Sequence, residues 1–318
     1  MIIDTFSGLP DRRIVGNWLD TFLPYFGYLR MFGESFAKLS GTGADPLYEI
    51  WRKEGPKKVT EMMLNELAPS FMPLETYVQV LDAMEISHQG VWIHVHNGEM
   101  SNQPAVQCLK EAKQLCGNRL LALPSFNLTD DLPMRVETLH REIGLHGVVT
   151  LAFVDNVYPD DRRWYPLYEK LVELDLALWN HTVNSWSERH PSDFGHPSRV
   201  DRIACDFPDL RIIMGHGGWP WVLEAVTCAW RHENVFLEPS AHRWKYLAKP
   251  GSGWEPLIHF GRSTIADKVL FASFWQLTGV PLPVALDEAR SLPVPESVIT
   301  KWMSENGKKA YKLDVPSQ

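Results

Sequence analysis

Short apolar runs rich in β-branched residues alternate with amphipathic stretches along most of the chain. Eight runs stand out: residues 2–3, 90–96, 120–126, 147–153, 176–181, 210–216, 235–239 and 268–273. Apart from the first, each has the length and nearly unbroken apolar character of a strand buried on both faces of a parallel sheet. Between them, residues 105–115, 133–143, 165–173, 198–207 and 220–231 carry apolar side chains at helical spacing. Residues 283–290 and 295–309 follow the last run, each introduced by a proline-rich turn. This alternation predicts an α/β fold, a (β/α)8 TIM barrel. A doubly wound parallel sheet is the alternative, but no GxGxxG or phosphate-binding loop supports it.

One region breaks the alternation. Residues 7 to about 75 separate the first two runs and are rich in aromatic, glycine and proline residues, as in Leu23-Pro24-Tyr25-Phe26-Gly27-Tyr28. A connection this long is expected to hold helices of its own. In a barrel it would sit over the C-terminal face as a lid or an oligomer contact. With no repeat, linker or low-complexity tract, residues 1–318 are expected to form one domain.

Composition narrows the partners. Hydrophobic residues make up 45% of the 318 and charged residues 22%, enough for a large core. The net charge of −8 disfavours nucleic acid. No apolar run approaches the roughly 20 residues of a membrane span, and no signal peptide is visible. The expectation is a cytoplasmic protein with no membrane contact. Cys108, Cys116, Cys205 and Cys228 form no CxxC pair and read as thiols of a reducing compartment. The 13 tryptophans need an explanation.

Barrel sites are built at the C-terminal ends of strands. The fifth run ends in Leu178-Trp179-Asn180-His181, and the sixth in Gly215-His216-Gly217-Gly218-Trp219. A histidine at such an end is a typical ligand or acid–base position; the plain alternative is a histidine bonded to nearby backbone. His94 and His96 form an H-x-H at the end of the second run, both on one face of a strand. With His181 and His216 they would supply four imidazoles to a metal. Asp155, Asn156 and Glu238 also close strands, but read better as ordinary polar ends. His242 and Arg243 follow the seventh run, and the arginine fork suits a substrate carboxylate. His190 and His196 read as loop residues. There is no G-x-S-x-G and no HExxH.

The segment Phe207-Pro208-Asp209-Leu210-Arg211-Ile212-Ile213-Met214-Gly215-His216-Gly217-Gly218 resembles the signature of the amidohydrolase-related family. This is the branch of the amidohydrolase superfamily that holds aminocarboxymuconate-semialdehyde-type decarboxylases and related hydrolases. Met1-Ile2-Ile3-Asp4, Tyr158-Pro159-Asp160-Asp161 with Tyr165-Pro166-Leu167-Tyr168, Glu233 to Ser240 and Lys268 to Ser273 resemble it too. The resemblance spans nearly the whole chain. It implies a barrel, usually with one divalent metal such as zinc, manganese or iron. Family members usually read Ile-Asp-x-His-x-His at strand one, where this chain has Phe6 and Gly8. They usually read Gly-Ser-Asp at strand eight, where it has Phe274. Only His181 and His216 match the family's functional set, so the metal is expected to be weak or absent.

Two expectations follow. One is a hydrolase or decarboxylase acting on a small carboxylate or lactone through His181 and His216, with Trp179, Trp219, Arg243 and Phe274 shaping the pocket. The other is a non-catalytic subunit of a hetero-oligomer with a metal-bearing paralogue, as in heteromeric amidohydrolase-fold oxygenases. A homo-oligomer, or a module binding an aromatic acid, is also compatible with the residues.

Overall fold

The computed structural model describes residues 1–40 and 43–313. Seven of the apolar runs form strands: β1 Ile2–Ser7, β2 Ile86–Val95, β3 Leu120–Phe126, β4 Gly147–Thr150, β5 Ala177–His181, β6 Ile212–Gly215 and β7 Val235–Glu238. All pair in parallel in sequence order. Side-chain alternation divides the core in two. Ala177 and Trp179 of β5, Ile213 of β6 and Phe236 of β7 point into the barrel, while Leu178, Ile212 and Leu237 pack on the outer helices. Both faces are therefore buried, which is why the strands read as continuous apolar runs.

The eighth run takes its barrel place without forming a ladder. Leu237 bridges Val269, and Leu270 N–H donates to the Leu237 carbonyl at 2.9 Å. On the other edge, Thr5 N–H donates to the Phe271 carbonyl at 2.9 Å, and Phe274 N–H to that of Phe6 at 3.2 Å. Backbone bonds to β7 and β1 thus close the circle. The fourth run also differs from expectation. It ends at Thr150 because the chain turns helical from Ala152.

The long connection holds α1 Arg12–Phe22, α2 Phe26–Ser40, α3 Ala44–Glu54 and α4 Pro56–Glu66, followed by α5 Leu74–Ala83. Asp11 caps α1, its side chain accepting from Arg13 N–H at 2.7 Å. The outer helices are α6 Pro104–Cys116, α7 Leu132–Ile143, α9 Tyr165–Glu173, α10 Pro197–Asp206 and α11 Val222–Arg231, while the short α8 Ala152–Asp155 packs Phe153 inward at the mouth. After β7 come α12 Trp244–Leu247, α13 Glu255–Gly261, α14 Trp275–Thr278 and α15 Leu282–Arg290. Proline opens α6, α7, α9, α10, α13 and α15, where its missing N–H costs nothing.

The helix expected over 295–309 is three pieces: α16 Glu296–Thr300, a π-helical turn Lys301–Glu305 and α17 Asn306–Tyr311. Asn306 in α17 donates to the Ala266 and Val269 carbonyls at 3.0 and 2.7 Å, and Tyr311 Oη donates to the Thr5 carbonyl at 3.3 Å. These bonds fasten α17 against the eighth run and β1. Among the described residues, no helix is long and apolar enough to cross a membrane.

Candidate functional site at the barrel mouth

β5 and β6 are neighbours in register, so His181 at the end of β5 pairs with Gly215 at the end of β6. That register brings the His181 and His216 rings to 5.1 Å between centroids, nearly perpendicular. His216 has φ +64°, followed by Gly217 at +63° and Gly218 at +81°. A histidine in this left-handed conformation carries strain that its surroundings must hold. They do so from β7. Glu238 accepts the His216 N–H at 3.4 Å, and His216 Nδ1 lies 3.0 Å from the Ser240 carbonyl and 2.8 Å from Ser240 Oγ.

These bonds decide the tautomer. A carbonyl only accepts, so Nδ1 carries the proton and Nε2 keeps its lone pair. Ser240 Oγ in turn donates to Glu238 at 2.8 Å, and Trp179 Nε1 donates to it at 3.0 Å. Burial pushes the Glu238 carboxyl up to about 8, against the pull of its Ser240, His216 and Trp179 donors. Burial lowers His181 to about 3 and His216 well below its ordinary value, the latter helped by neighbouring His181 and His242. Both imidazoles are neutral at pH 7.

Aromatic rings fill the space beside them. Phe6 stacks on Trp179 at 4.1 Å and meets Phe274 edge-on at 5.3 Å, while Trp179 lies 5.0 Å from His216. From the long connection, α1 and α2 bring Trp18, Phe22 and Tyr28 over the mouth. With His181, His216 and His242 they enclose a cavity of about 20 Å³, room for roughly one water molecule. His242 is lowered to about 4 by burial, and its Nε2 is buried without a partner.

The other predicted residues lie elsewhere. His94 is buried with Nδ1 2.9 Å from Ser125 Oγ, and burial lowers it to about 4. Its ring is 4.7 Å from that of His96, which is exposed beside a surface hollow lined by Asn17, Asp20 and Gln103. The two histidine pairs are thus separate, with Phe22 and Phe153 packed between Trp92 and His181. Arg243 grips Glu288 with two bonds from Nε, at 3.1 and 3.0 Å, and one from Nη2. Its fork is taken, and it does not line the cavity. Trp219 donates to the Ser252 carbonyl at 3.1 Å. Asp155 accepts from Leu128 N–H at 3.0 Å, and His196 caps α10. Sequence reasoning undervalued Glu238 and His242 and did not single out Ser240. The signal for the lid was present, since Trp18 and Phe22, and Tyr28 and Phe32, are aromatic pairs at i, i+4.

The donor set at the mouth does not fit a divalent metal. A catalytic zinc takes three protein ligands and water, and manganese favours oxygen. Here three neutral imidazoles, His181, His216 and His242, line the cavity among apolar rings without bringing three ligand nitrogens within 4.8 Å of one another, and the nearby Glu238 carboxyl is taken up by its own donors. Among the described residues, the single group of three ligand side chains converging within 4.8 Å is Asp201, Cys228 and His232, away from the mouth.

Comparison with known proteins agrees with this architecture. An uncharacterized TIM-barrel protein of Bordetella bronchiseptica is 21% identical with a TM-score of 0.65, over 97% of each chain. A 5-carboxyvanillate decarboxylase of Novosphingobium aromaticivorans, solved with manganese and 4-hydroxy-3-methoxy-5-nitrobenzoic acid, is 18% identical with a TM-score of 0.62, over 98% of this chain and 96% of that one. A 2-keto-4-carboxy-3-hexenedioate hydratase of a Sphingobium strain is 38% identical over 68 residues, 18% of this chain and 20% of that protein's length. The family model described as amidohydrolase matches residues 90–313. That match takes in the second half of β2, strands β3 to β7 and both mouth histidines, and the chain belongs to the amidohydrolase family.

Proposed function

We propose that the chain is a hydrolase that opens a small lactone at the barrel mouth without a divalent metal. The observation that carries this reading is the fixed tautomer of His216, which leaves the Nε2 lone pair beside His181 and the cavity. Neutral His216 takes a proton from water as the water oxygen adds to the lactone carbonyl carbon. The N–H of neutral His181 donates to the carbonyl oxygen as it gains charge. The ring C–O bond then breaks, and the leaving oxygen takes the proton from His216. Glu238 and Ser240 hold the imidazole in place throughout.

A neutral lactone suits this site better than a carboxylate. Among the described residues no arginine or lysine lines the cavity, Arg243 is bound to Glu288, and an unpaired carboxylate is costly to bury. Decarboxylation of an aromatic acid also requires an acid to protonate the ring carbon, and both mouth imidazoles are neutral rather than protonated. The cavity is too small for a substrate as it stands, so entry requires α1 and α2 to shift. On a panel of lactones, His216→Ala is expected to lower kcat/KM by roughly 10²–10⁴-fold, with wild-type activity unchanged by chelator. Wild-type turnover in that variant, or activity abolished by chelator and restored by manganese, overturns the proposal.

The packing of Phe6, Trp179 and Phe274 favours a second reading, a non-catalytic subunit. Apolar rings beside the histidines fit a site retired from chemistry. Co-expression with a metal-bearing paralogue should then give a stable heteromer by light scattering after size exclusion. A chain that elutes apart from such a partner counts against it.

A further inference from the structure

Outside the barrel, α10 and α11 pack side by side and carry two i, i+4 pairs of ligand residues: Asp201 with Cys205, and Cys228 with His232 just beyond the end of α11. Residues at this spacing lie on one helix face. The ligand atoms of Asp201, Cys228 and His232 all lie within 4.8 Å of one another. His232 Nε2 is 2.8 Å from Asp201 Oδ1. Arg231 places Nη1 3.0 and 3.1 Å from the two Asp201 oxygens, and Nη2 3.9 Å from Cys205 Sγ. One guanidinium therefore spans the space between Asp201 and Cys205.

We infer that Asp201, Cys228 and His232 form a binding site for a thiophilic divalent cation of the zinc type, with Cys205, one turn along α10 from Asp201 and outside the 4.8 Å group, turning in as fourth donor once Arg231 leaves. A carboxylate, an imidazole and two cysteine sulfurs are a donor set for a tetrahedral ion. Calcium and magnesium, which want oxygen, are poorly served by it. Arg231 supplies positive charge to Asp201 when no metal is bound. Its side chain is 63% exposed, so it can swing into solvent as the cation enters past Asp201.

The proton balance is simple. The cation replaces the proton that His232 Nε2 shares with Asp201, and the neutral ring carries its proton on Nδ1 instead. The cation also replaces the thiol protons of Cys228 and Cys205, which go to solvent. None of the four residues lines the barrel-mouth cavity, so this site is separate from the proposed catalytic one.

The test is a titration of the chelator-stripped full chain with Co(II) under reducing conditions. One equivalent should produce a thiolate-to-cobalt absorption band in the near ultraviolet and tetrahedral bands in the visible, both bleached by added zinc. Cys228→Ser and His232→Ala should each weaken binding by at least about 100-fold, more than the loss of a supporting partner normally costs. Cys205→Ser should weaken it less and reduce the charge-transfer band. His181→Ala should leave the titration unchanged, which separates this site from the mouth. Circular dichroism confirms that each variant is folded. No thiolate band at saturating cobalt, a band that survives in Cys228→Ser, or a band lost in His181→Ala overturns the inference.

Discussion

Lowering the pH from 7 to 4 will unfold the protein in a steep transition linked to the uptake of several protons. Burial lowers His94 and His242 to about 4 and His146 and His181 to about 3, and it lowers His216 well below its ordinary value. In the unfolded chain each would take its proton near the usual histidine value of about 6.5. Below that pH the unfolded state binds protons that the native state refuses. The stability these groups give is thus complete above about 6.5 and is lost as pH falls. The two acids with the largest upward shifts work the other way. Burial raises Asp4 from 3.8 to about 6 and Glu238 from 4.5 to about 8. Their contribution favours the native state at low pH and fades as pH rises through those raised values. Near pH 5, five histidines against two acids leave a net uptake of about three protons on unfolding, a slope of about 4 kcal/mol per pH unit. A typical stability of about 5–15 kcal/mol is consumed within a few units at that slope. Urea midpoints read by tryptophan fluorescence should fall steadily below pH 6.5. A flat profile from pH 7 to 4.5 would show that these histidines are not buried neutral together.

How much of this was legible in the sequence follows from which contacts are local. Parallel strands buried on both faces leave an unbroken apolar run, so 120–126 and 176–181 announce β3 and β5. Strand order in a barrel then places the ends of β5 and β6 side by side, and with them His181 and His216. Alternation also puts His94 and His96 on one face, but not the fact that the chain leaves the barrel at His96 and exposes it. The eighth run reads as a strand from its apolar character, yet its bonds go to β7 and β1 in too irregular a pattern for a ladder. Long-range pairing is what sequence hides. Arg243 looks like a free substrate anchor until the chain folds Glu288 onto it from 45 residues away. Glu238 looks like an ordinary strand end until Trp179, Ser240 and His216 all donate to it. The aromatic surplus belongs to the same class. Trp18, Phe22 and Tyr28 are spaced for helices, but only the fold shows that those helices cover two histidines.

Gly215→Ala will destabilise the protein by about 3 kcal/mol or more, at the upper end of the usual cost of overpacking a core. A Cβ on Gly215 would stand 1.9 Å from Trp179 Cζ2 and 2.2 Å from Cε2. The indole has nowhere to retreat, since it is stacked on Phe6, edge-on to His216 and tied through Nε1 to Glu238. Gly8→Ala makes the contrast. There the new methyl meets the Gln276 side chain at 3.4 Å, an ordinary contact with a flexible partner, and the change should stay within about 0.5 kcal/mol. Trp179→Ala will itself cost about 3–5 kcal/mol through the cavity it leaves. Adding Gly215→Ala to it should cost almost nothing further, because the clashing ring is gone. The double-mutant cycle, read from urea unfolding midpoints, should thus return a coupling of about 3 kcal/mol between positions 179 and 215. The same coupling bears on function. If Gly215→Ala costs the same with and without Trp179, the indole is not wedged against β6, and the filled barrel mouth on which both functional readings rest would have to be redrawn. If the coupling is present, the ring beside His216 is fixed in place, and any ligand must enter by moving α1 and α2 rather than Trp179.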